Sequence, residues 1–250
     1  KVVGRLGVGL DNIDLQAAKL FDVKVVYARN ANATSVAEYV MAAMLETSRS
    51  LLTASWDVRA GNWNRQRFTG AELSGKVVGL LGMGEIAHRV AKRALAFGMQ
   101  VIGYDPFVAP YDFVVTETGV RPVSFPELLA QSDFLSIHVP LTPQTKAMIS
   151  ADQLQHMKRE AYLINTSRGG ILDEAALLDA VMQKQIAGAF LDVLEEEPVD
   201  PQHPLLQCEN IYITPHIAGL TEESQIRTSC LVAEEVGRVL RQEEALCIVR

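Results

Sequence analysis

Cysteine is scarce: Cys208, Cys230 and Cys247 are the only three in 250 residues. Their spacing matches neither C-x-x-C metal motifs nor an even disulfide set, so reduced thiols in a cytoplasmic protein are expected, and no metal site. Positive charge is also short, with 23 Lys and Arg against 30 Asp and Glu, a net charge of −7. Such a surface repels phosphate backbones and argues against a large nucleic-acid footprint. No apolar run approaches the roughly 20 residues that span a bilayer, and no signal peptide is recognisable, so no membrane partner is expected. Internal repeats and low-complexity segments are absent too. What is present, 48% apolar and 21% charged residues, is the balance of a soluble globular protein. The length fits one large domain or two small ones. Position 1 is lysine, so further sequence is expected upstream.

Six short apolar runs bounded by turn residues lie at 76–81, 100–104, 133–139, 161–164, 187–193 and 211–214. Runs of this length without alternation fit strands buried on both faces, as in a parallel sheet. Helical patterns at 86–97, 125–131, 151–158 and 174–183 alternate with them, which predicts repeated βαβ units. The first 70 residues differ. Residues 1–3 read as the end of a strand, followed by a glycine-studded loop (GRLGVG), a short helix over 15–21 and a strand over 23–26. One long helix is expected from 36 to 58, opened by a capping box of Ser35 and Glu38. A polar loop spiked with aromatics follows at 61–70, and a second long helix over 222–241, with Thr221 as N-cap, closes the chain.

The strand at 76–81 runs into Gly82-Met83-Gly84-Glu85-Ile86-Ala87 and then a helix, a G-x-G-x-x-A pattern in strand–turn–helix context. Gly82 permits the tight turn, Gly84 lets backbone approach a pyrophosphate, and Ala87 is small enough for close helix–strand packing. Diphosphate charge would rest on the amides and positive dipole end of the helix, which brings Glu85 and Ile86 into the binding set. Asp105 ends the second strand 23 positions after Gly82, near the roughly 20 expected for a ribose-binding acid. A carboxylate there accepts hydrogen bonds from ribose hydroxyls and repels a 2′-phosphate, so the expected cofactor is NAD and not NADP. The competing reading is that Asp105 only starts an Asp-Pro turn.

Polar residues stand where the later strands end. Arg168 lies in NTSRGG after the 161–164 strand, Asp192 at the end of the next, Glu197 five residues on, and His216 in PHIAG after the last. Ligands in open α/β sheets bind beyond the carboxyl ends of the strands, which would gather all four at one rim. Alone, residues 195–197 read as a solvated acidic turn and His216 as a satisfied loop histidine. Together they suit hydride transfer from a hydroxy acid. Histidine, with a pKa near neutrality, takes the hydroxyl proton, and Glu197 holds the imidazole in one tautomer. The Arg168 guanidinium binds carboxylate and reacting oxygen in one planar fork and steadies negative charge in the transition state.

The motifs GRLGVGLDNID, SVAEYV, GMGEIA…YDP, NTSRGGILDEAAL, FLDVLEEEP and PHIAG occur in an order that resembles the D-isomer-specific 2-hydroxyacid dehydrogenases. The likeness is to the branch that includes phosphoglycerate dehydrogenases, and it runs over nearly the whole chain. The separations agree as well, 29 residues from Arg168 to Glu197 and 19 more to His216. The resemblance implies an α/β fold: a doubly wound, parallel-sheet NAD domain of Rossmann type, with a smaller flavodoxin-like substrate domain truncated at its N-terminus. It also implies that Arg168, Glu197 and His216 are catalytic and that Asp192 binds the nicotinamide carboxamide. Thr166, Ser167 and Gly219 match segments that touch the dinucleotide, and Val139 and Pro140 match the wall near adenine. Val8 and Gly9 match a loop whose amides hold the substrate carboxylate. Ala87 departs from the usual glycine, and Glu197 disfavours a formate dehydrogenase, whose relatives carry glutamine there.

On this basis residues 1–34 are expected to be a remnant of the substrate domain and 35–220 the NAD-binding domain with an interdomain helix and dimerisation loop. Residues 221–250 would be a helix returning to the substrate domain. The two long helices would form one hinge whose closure excludes water. The expected partners are a small 2-hydroxy or 2-keto acid and a second copy in a homodimer. In similar phosphoglycerate dehydrogenases an arginine at the position of Arg5 lies near the distal anion of the substrate. That implies a second anionic group, as on 3-phosphoglycerate or 3-sulfolactate; the competing reading pairs Arg5 with a neighbouring acid. Trp63, Arg65 and Arg67 lie in a loop that in this family reaches the partner subunit's site, or they are ordinary surface residues. The other reading of the whole chain is an NAD(H)-sensing regulator resembling the C-terminal binding corepressors, which share the fold and a similar triad.

Overall fold

The chain forms two compact units, one of residues 1–36 and 219–250 and the other of residues 37–218. The structure is a computed structural model that describes residues 2–109 and 111–249, apart from the side chains of residues 113 and 114. In the first unit β1 (Val2–Arg5) and β2 (Lys24–Tyr27) pair in parallel, Val2 opposite Lys24. Of the strand expected at 1–3, Lys1 lies outside the described residues. The connecting helix α1 (Leu15–Leu20) starts at Asp14, whose carboxylate accepts the Ala17 N–H at 2.9 Å. A Cβ on Gly4 would lie 2.6 Å from Val232 and 2.8 Å from Val236, so glycine is what lets β1 touch the closing helix, Glu222–Leu240. That helix begins on Thr221, as expected, with the Thr221 hydroxyl accepting the Ser224 N–H at 3.1 Å. The chain then returns to β2: Tyr27 N–H donates to the Cys247 carbonyl and Val249 N–H to the Val25 carbonyl. This added pairing lies beyond the closing helix and was not expected from the sequence.

The single helix expected over 36–58 is two helices, α2 (Ala33–Arg49) and α3 (Leu51–Arg59). A continuous helix would bond the Leu52 N–H to the Ser48 carbonyl. That carbonyl is taken instead by the Ala71 N–H at 3.0 Å, and Leu52 N–H turns to the Glu46 carboxylate at 3.2 Å. The backbone passes between the two helices through Ser50, at φ 49° and ψ 45°. The expected capping box is also absent, because the helix starts at Ala33, three residues before the expected 36. Ser35 lies inside α2 with its hydroxyl 2.9 Å from that of Thr221, and Glu38 pairs with Arg93 at 3.0 Å.

In the second unit β3 (Val77–Leu81), β4 (Gln100–Tyr104), β5 (Arg121–Pro122), β6 (Phe134–Ile137), β7 (Tyr162–Asn165), β8 (Gly188–Leu191) and β9 (Ile211–Ile213) form one parallel sheet. Its order is β5-β4-β3-β6-β7-β8-β9. Neighbouring residues turn to opposite faces, as the period of two requires. Val101 joins a core with α2 and α4 (Glu85–Ala96), to which α4 contributes Ala87, Val90, Ala91 and Ala94. Ile102 joins a core with α6 (Phe125–Gln131), α7 (Ala151–Leu154) and α8 (Glu174–Met182). Helices on both faces explain why the strands read as unbroken apolar runs. Three short elements escaped the sequence: α5 (Phe113–Thr118), β5 and a 3₁₀ turn over Pro204–Gln207; α7 is also shorter than expected. The helix Glu222–Leu240 is α9, and no described helix is long and apolar enough to cross a membrane.

Strand order reverses between β3 and β6, and the crevice beyond the carboxyl ends at such a switch point is where open α/β sheets bind ligands.

Candidate active site

The glycine turn after β3 sits at that switch point. Gly82 has φ 89°, and a Cβ there would lie 2.8 Å from the His138 carbonyl oxygen and 2.9 Å from a Val139 methyl. Gly84 is the N-cap of α4, offers no side chain to cap it, and a Cβ on it would meet nothing within 4 Å. The first intrahelical bond runs from the His88 N–H to the Gly84 carbonyl, so the preceding amides of Glu85, Ile86 and Ala87 lack helical acceptors. The Glu85 carboxylate is turned onto Arg89 at 2.6 Å, and Ile86 packs half-buried on the α2–α4 core. Asp105 follows β4, its two oxygens accepting the Met83 and Phe107 N–H groups at 2.9 Å each. It therefore starts the turn and also ties β4 to the glycine turn. Val139 and Pro140 follow β6, Val139 half-buried and Pro140 exposed. The neighbouring His138 hydrogen-bonds Ser136 through Nε2 at 2.9 Å, and burial pushes its pKa down to about 4.

The other candidates cluster beyond β7, β8 and β9, which are adjacent in the sheet. Asn165, 1% exposed, organises the loop after β7. Its carbonyl oxygen accepts from the Ser167 N–H and hydroxyl, and its amide donates to the Arg168 carbonyl at 2.9 Å. A Cβ on Gly169 would lie 1.9 Å from the Leu194 carbonyl oxygen, so the loop carrying Arg168 rests directly on the backbone leading to Glu197. Arg168 is half-buried, with Nη1 donating to the Ser167 carbonyl at 2.6 Å. The Thr166 hydroxyl is buried and has no hydrogen-bond partner among the described residues.

His216 and Glu197 meet: imidazole Nδ1 lies 2.8 Å from Oε2, while Oε1 accepts the Leu194 N–H at 3.1 Å. With Nδ1 held by a carboxylate, the proton resides there and Nε2 presents the basic lone pair. Both side chains remain accessible, at 48% and 40%. Asp192 is 1% exposed and accepts from the Thr214 hydroxyl and from the Ile217 and Ala218 amides, all at 2.7–2.8 Å. Sequence reasoning assigned no role to Asn165 or to Glu174. The Glu174 carboxylate accepts the Glu195 N–H at 2.6 Å and faces His203 at 3.4 Å, its pKa raised by burial. An Asn closing a strand and an acid in the first turn of a helix are the signals that were there to be read.

The remaining candidates lie in the first unit. Arg5 clasps its own loop, with Nε donating to the Gly9 carbonyl at 3.0 Å and Nη1 to the Leu6 carbonyl at 2.8 Å. Val8 is exposed and Gly9 half-buried. The Gly219 carbonyl accepts the Ser224 hydroxyl at 2.6 Å. In the second unit Trp63 is 78% exposed, and Arg67 pairs with Asp57 at 3.5 Å.

An uncapped helix N-terminus, open space at Gly84 and an unpartnered buried hydroxyl at Thr166 together fit a dinucleotide. Residues 41–218 match the family model described as D-isomer specific 2-hydroxyacid dehydrogenase, NAD binding domain. Over all 250 residues the chain is 45% identical to a D-3-phosphoglycerate dehydrogenase of Methanocaldococcus jannaschii, covering 47% of that protein. It is 43% identical over 96% of its length to an (S)-sulfolactate dehydrogenase of Chromohalobacter salexigens, covering 77% of it. The whole chain superposes on 75% of a glyoxylate reductase from Paecilomyes thermophila, at 33% identity and a TM-score of 0.91. The chain spans about half the length of the D-3-phosphoglycerate dehydrogenases it matches. These names give the corepressor reading no support.

Proposed function

The chain belongs to the D-isomer specific 2-hydroxyacid dehydrogenase family, and from that premise we propose that the protein interconverts a small 2-hydroxy acid and its 2-keto acid. The observation that carries this reading is the 2.8 Å contact between His216 Nδ1 and Glu197 at the rim of a dinucleotide-type sheet. In the oxidative direction His216 Nε2 takes the hydroxyl proton, and Glu197 stabilises the imidazolium that forms. Arg168 holds the carboxylate and the reacting oxygen. NAD supplies the hydride acceptor. The amides at Glu85 and Ile86, with Gly82 and Gly84, receive the diphosphate, and Asp105 receives the ribose and excludes a 2′-phosphate. Thr166, Ser167, Asp192, Val139, Pro140 and Gly219 complete the cofactor set. Residues 37–218 serve as the NAD-binding domain, and residues 1–36 with 219–250 as part of the substrate domain.

The substrate carries a second anionic group. Support comes from two relatives named for phosphoglycerate and sulfolactate, and from Arg5, which with Val8 and Gly9 on the loop it clasps makes up the substrate-binding set of the first unit. The protein acts in the cytoplasm as a homodimer; support for the dimer comes from the apolar surface that Leu51, Leu52, Trp56 and Trp63 expose on and after α3, which has no buried residue. The test is NADH consumption with pyruvate, hydroxypyruvate, 3-phosphohydroxypyruvate and 3-sulfopyruvate, for the wild type and Arg5→Ala. Turnover strongest on the dianionic acids, and lost selectively there in Arg5→Ala, is expected. Tight NADH binding with no turnover on any acid would overturn the proposal in favour of a sensor.

A further inference from the structure

His216 has φ 55°, a left-handed conformation that non-glycine residues seldom adopt. Something must hold it there, and the bonds around it identify what does. The His216 N–H donates back to the Thr214 carbonyl at 2.9 Å, and the next two amides, Ile217 and Ala218, both end on the buried Asp192 carboxylate. Asp192 also accepts the Thr214 hydroxyl at 2.7 Å. Because a carboxylate only accepts, the Thr214 proton points at Asp192. The Thr214 oxygen must then accept its other bond, which comes from the Tyr39 hydroxyl. Burial raises the Tyr39 pKa and keeps that hydroxyl a donor. The chain of bonds therefore has one direction, from Tyr39 through Thr214 to Asp192.

A second row of contacts runs beside it. The Tyr39 ring meets Phe190 edge-on, with centroids 5.7 Å apart, and Phe190 stacks on Tyr212 at 5.5 Å. Phe190 lies in β8 two residues before Asp192, and Tyr212 in β9 two residues before Thr214, so the aromatic contacts flank the polar ones at the ends of the two strands. The aromatic row sets where the Tyr39 hydroxyl stands, and the polar row uses it.

We infer that Tyr39 and Thr214 are positioning residues for His216: with Asp192 they form a directed hydrogen-bond chain that holds residues 215–218 in the conformation setting the imidazole against Glu197. The inference rests on the proposed role of His216 for its effect on turnover, but its effect on the imidazole stands apart from that role. The side-chain hydrogen bonds of Tyr39 and Thr214 run to each other and to Asp192, not to the His216 ring or to Glu197. Without the chain, His216 relaxes to negative φ and its ring leaves Glu197.

The test uses Tyr39→Phe, Thr214→Val, Thr214→Ser and the Tyr39→Phe/Thr214→Val pair in the full protein. Three readouts are taken: kcat for keto-acid reduction, the NADH Kd, and the NMR signals of the His216 ring, assigned through His216→Ala. Thr214→Val is expected to lower kcat about tenfold or more, and Tyr39→Phe about threefold. In the Thr214→Val background Tyr39→Phe adds nothing further, because the two act as one unit. Thr214→Ser restores kcat to within about twofold, and the NADH Kd stays within about twofold throughout. The His216 ring signals move in Thr214→Val and Tyr39→Phe but not in Thr214→Ser. Unchanged ring signals and kcat in Thr214→Val would overturn the inference, as would additive losses in the pair. If the wild type turned over no keto acid, the proposed function would fail while the ring signals still decided the positioning role.

Discussion

Gly169→Ala tests whether the loops carrying Arg168 and Glu197 are mutually fixed. The added Cβ would lie 1.9 Å from the Leu194 carbonyl oxygen, 2.1 Å from its carbon and 2.5 Å from the Glu195 nitrogen. Ordinary contact begins near 3.4 Å, so the two backbones must separate by 3.4 − 1.9, or about 1.5 Å. Every opposing atom is main chain, so no rotamer change relieves the clash. Asn165 braces one loop and Glu174 the other, and whichever yields carries Arg168 or Glu197 with it. A misplacement of about 1 Å in a catalytic group costs about 100-fold in rate. Overpacking adds about 1–3 kcal/mol of lost stability. Gly170→Ala is the matched control: φ is 72°, but the nearest atom to a new Cβ is 3.8 Å away on Leu141, so it bears only the left-handed cost of about 1–2 kcal/mol. The assay is kcat/KM for keto-acid reduction beside urea unfolding and NADH binding. Gly169→Ala should lose about 100-fold in kcat/KM, while Gly170→Ala loses stability and little activity. Wild-type kcat/KM in Gly169→Ala, or equal losses in the two variants, would show that the two loops are not mutually fixed.

Two further outcomes follow from the nucleotide end. Asp105→Ala removes both the ribose acceptor and the partner of two backbone amides. It should raise the NAD KM about tenfold and narrow the preference over NADP, read as the ratio of the two kcat/KM values. His138 titrates near 6.5 when unfolded and at about 4 when folded. Below pH 6.5 the unfolded chain takes a proton that the folded chain refuses until about pH 4, so stability falls as pH drops through that window. The loss should be about 1–3 kcal/mol between about pH 7 and about pH 4.5 in urea unfolding, and His138→Gln should flatten it.

What could be read in the sequence was whatever local pattern determines. The β3–Gly82–α4 turn, the strand-end positions of Arg168, Glu197 and His216, and the apolar strands all follow from short-range chemistry. The break at Ser50 was not legible, because it depends on Ala71 claiming the Ser48 carbonyl from 23 residues away. The pairing of residues 247–249 with β2 was hidden for the same reason. Ser35 and Glu38 had the right spacing for a cap, but their partners, Thr221 and Arg93, come from distant elements. Tyr39 gave no sign of its role, because its bond to Thr214 exists only once a helix and two strands are packed together. Asp192 was visible as a strand-end acid, yet its three donors lie 22–26 residues away.

His216, held by Glu197, is proposed as the base of a hydride transfer. The most direct measurement is NADH consumption with an active 2-keto acid in wild type and His216→Ala, with the NADH Kd measured on both proteins. Turnover should fall by about 1,000-fold or more in His216→Ala while the NADH Kd stays within about threefold. Near-wild-type turnover in His216→Ala would contradict that role.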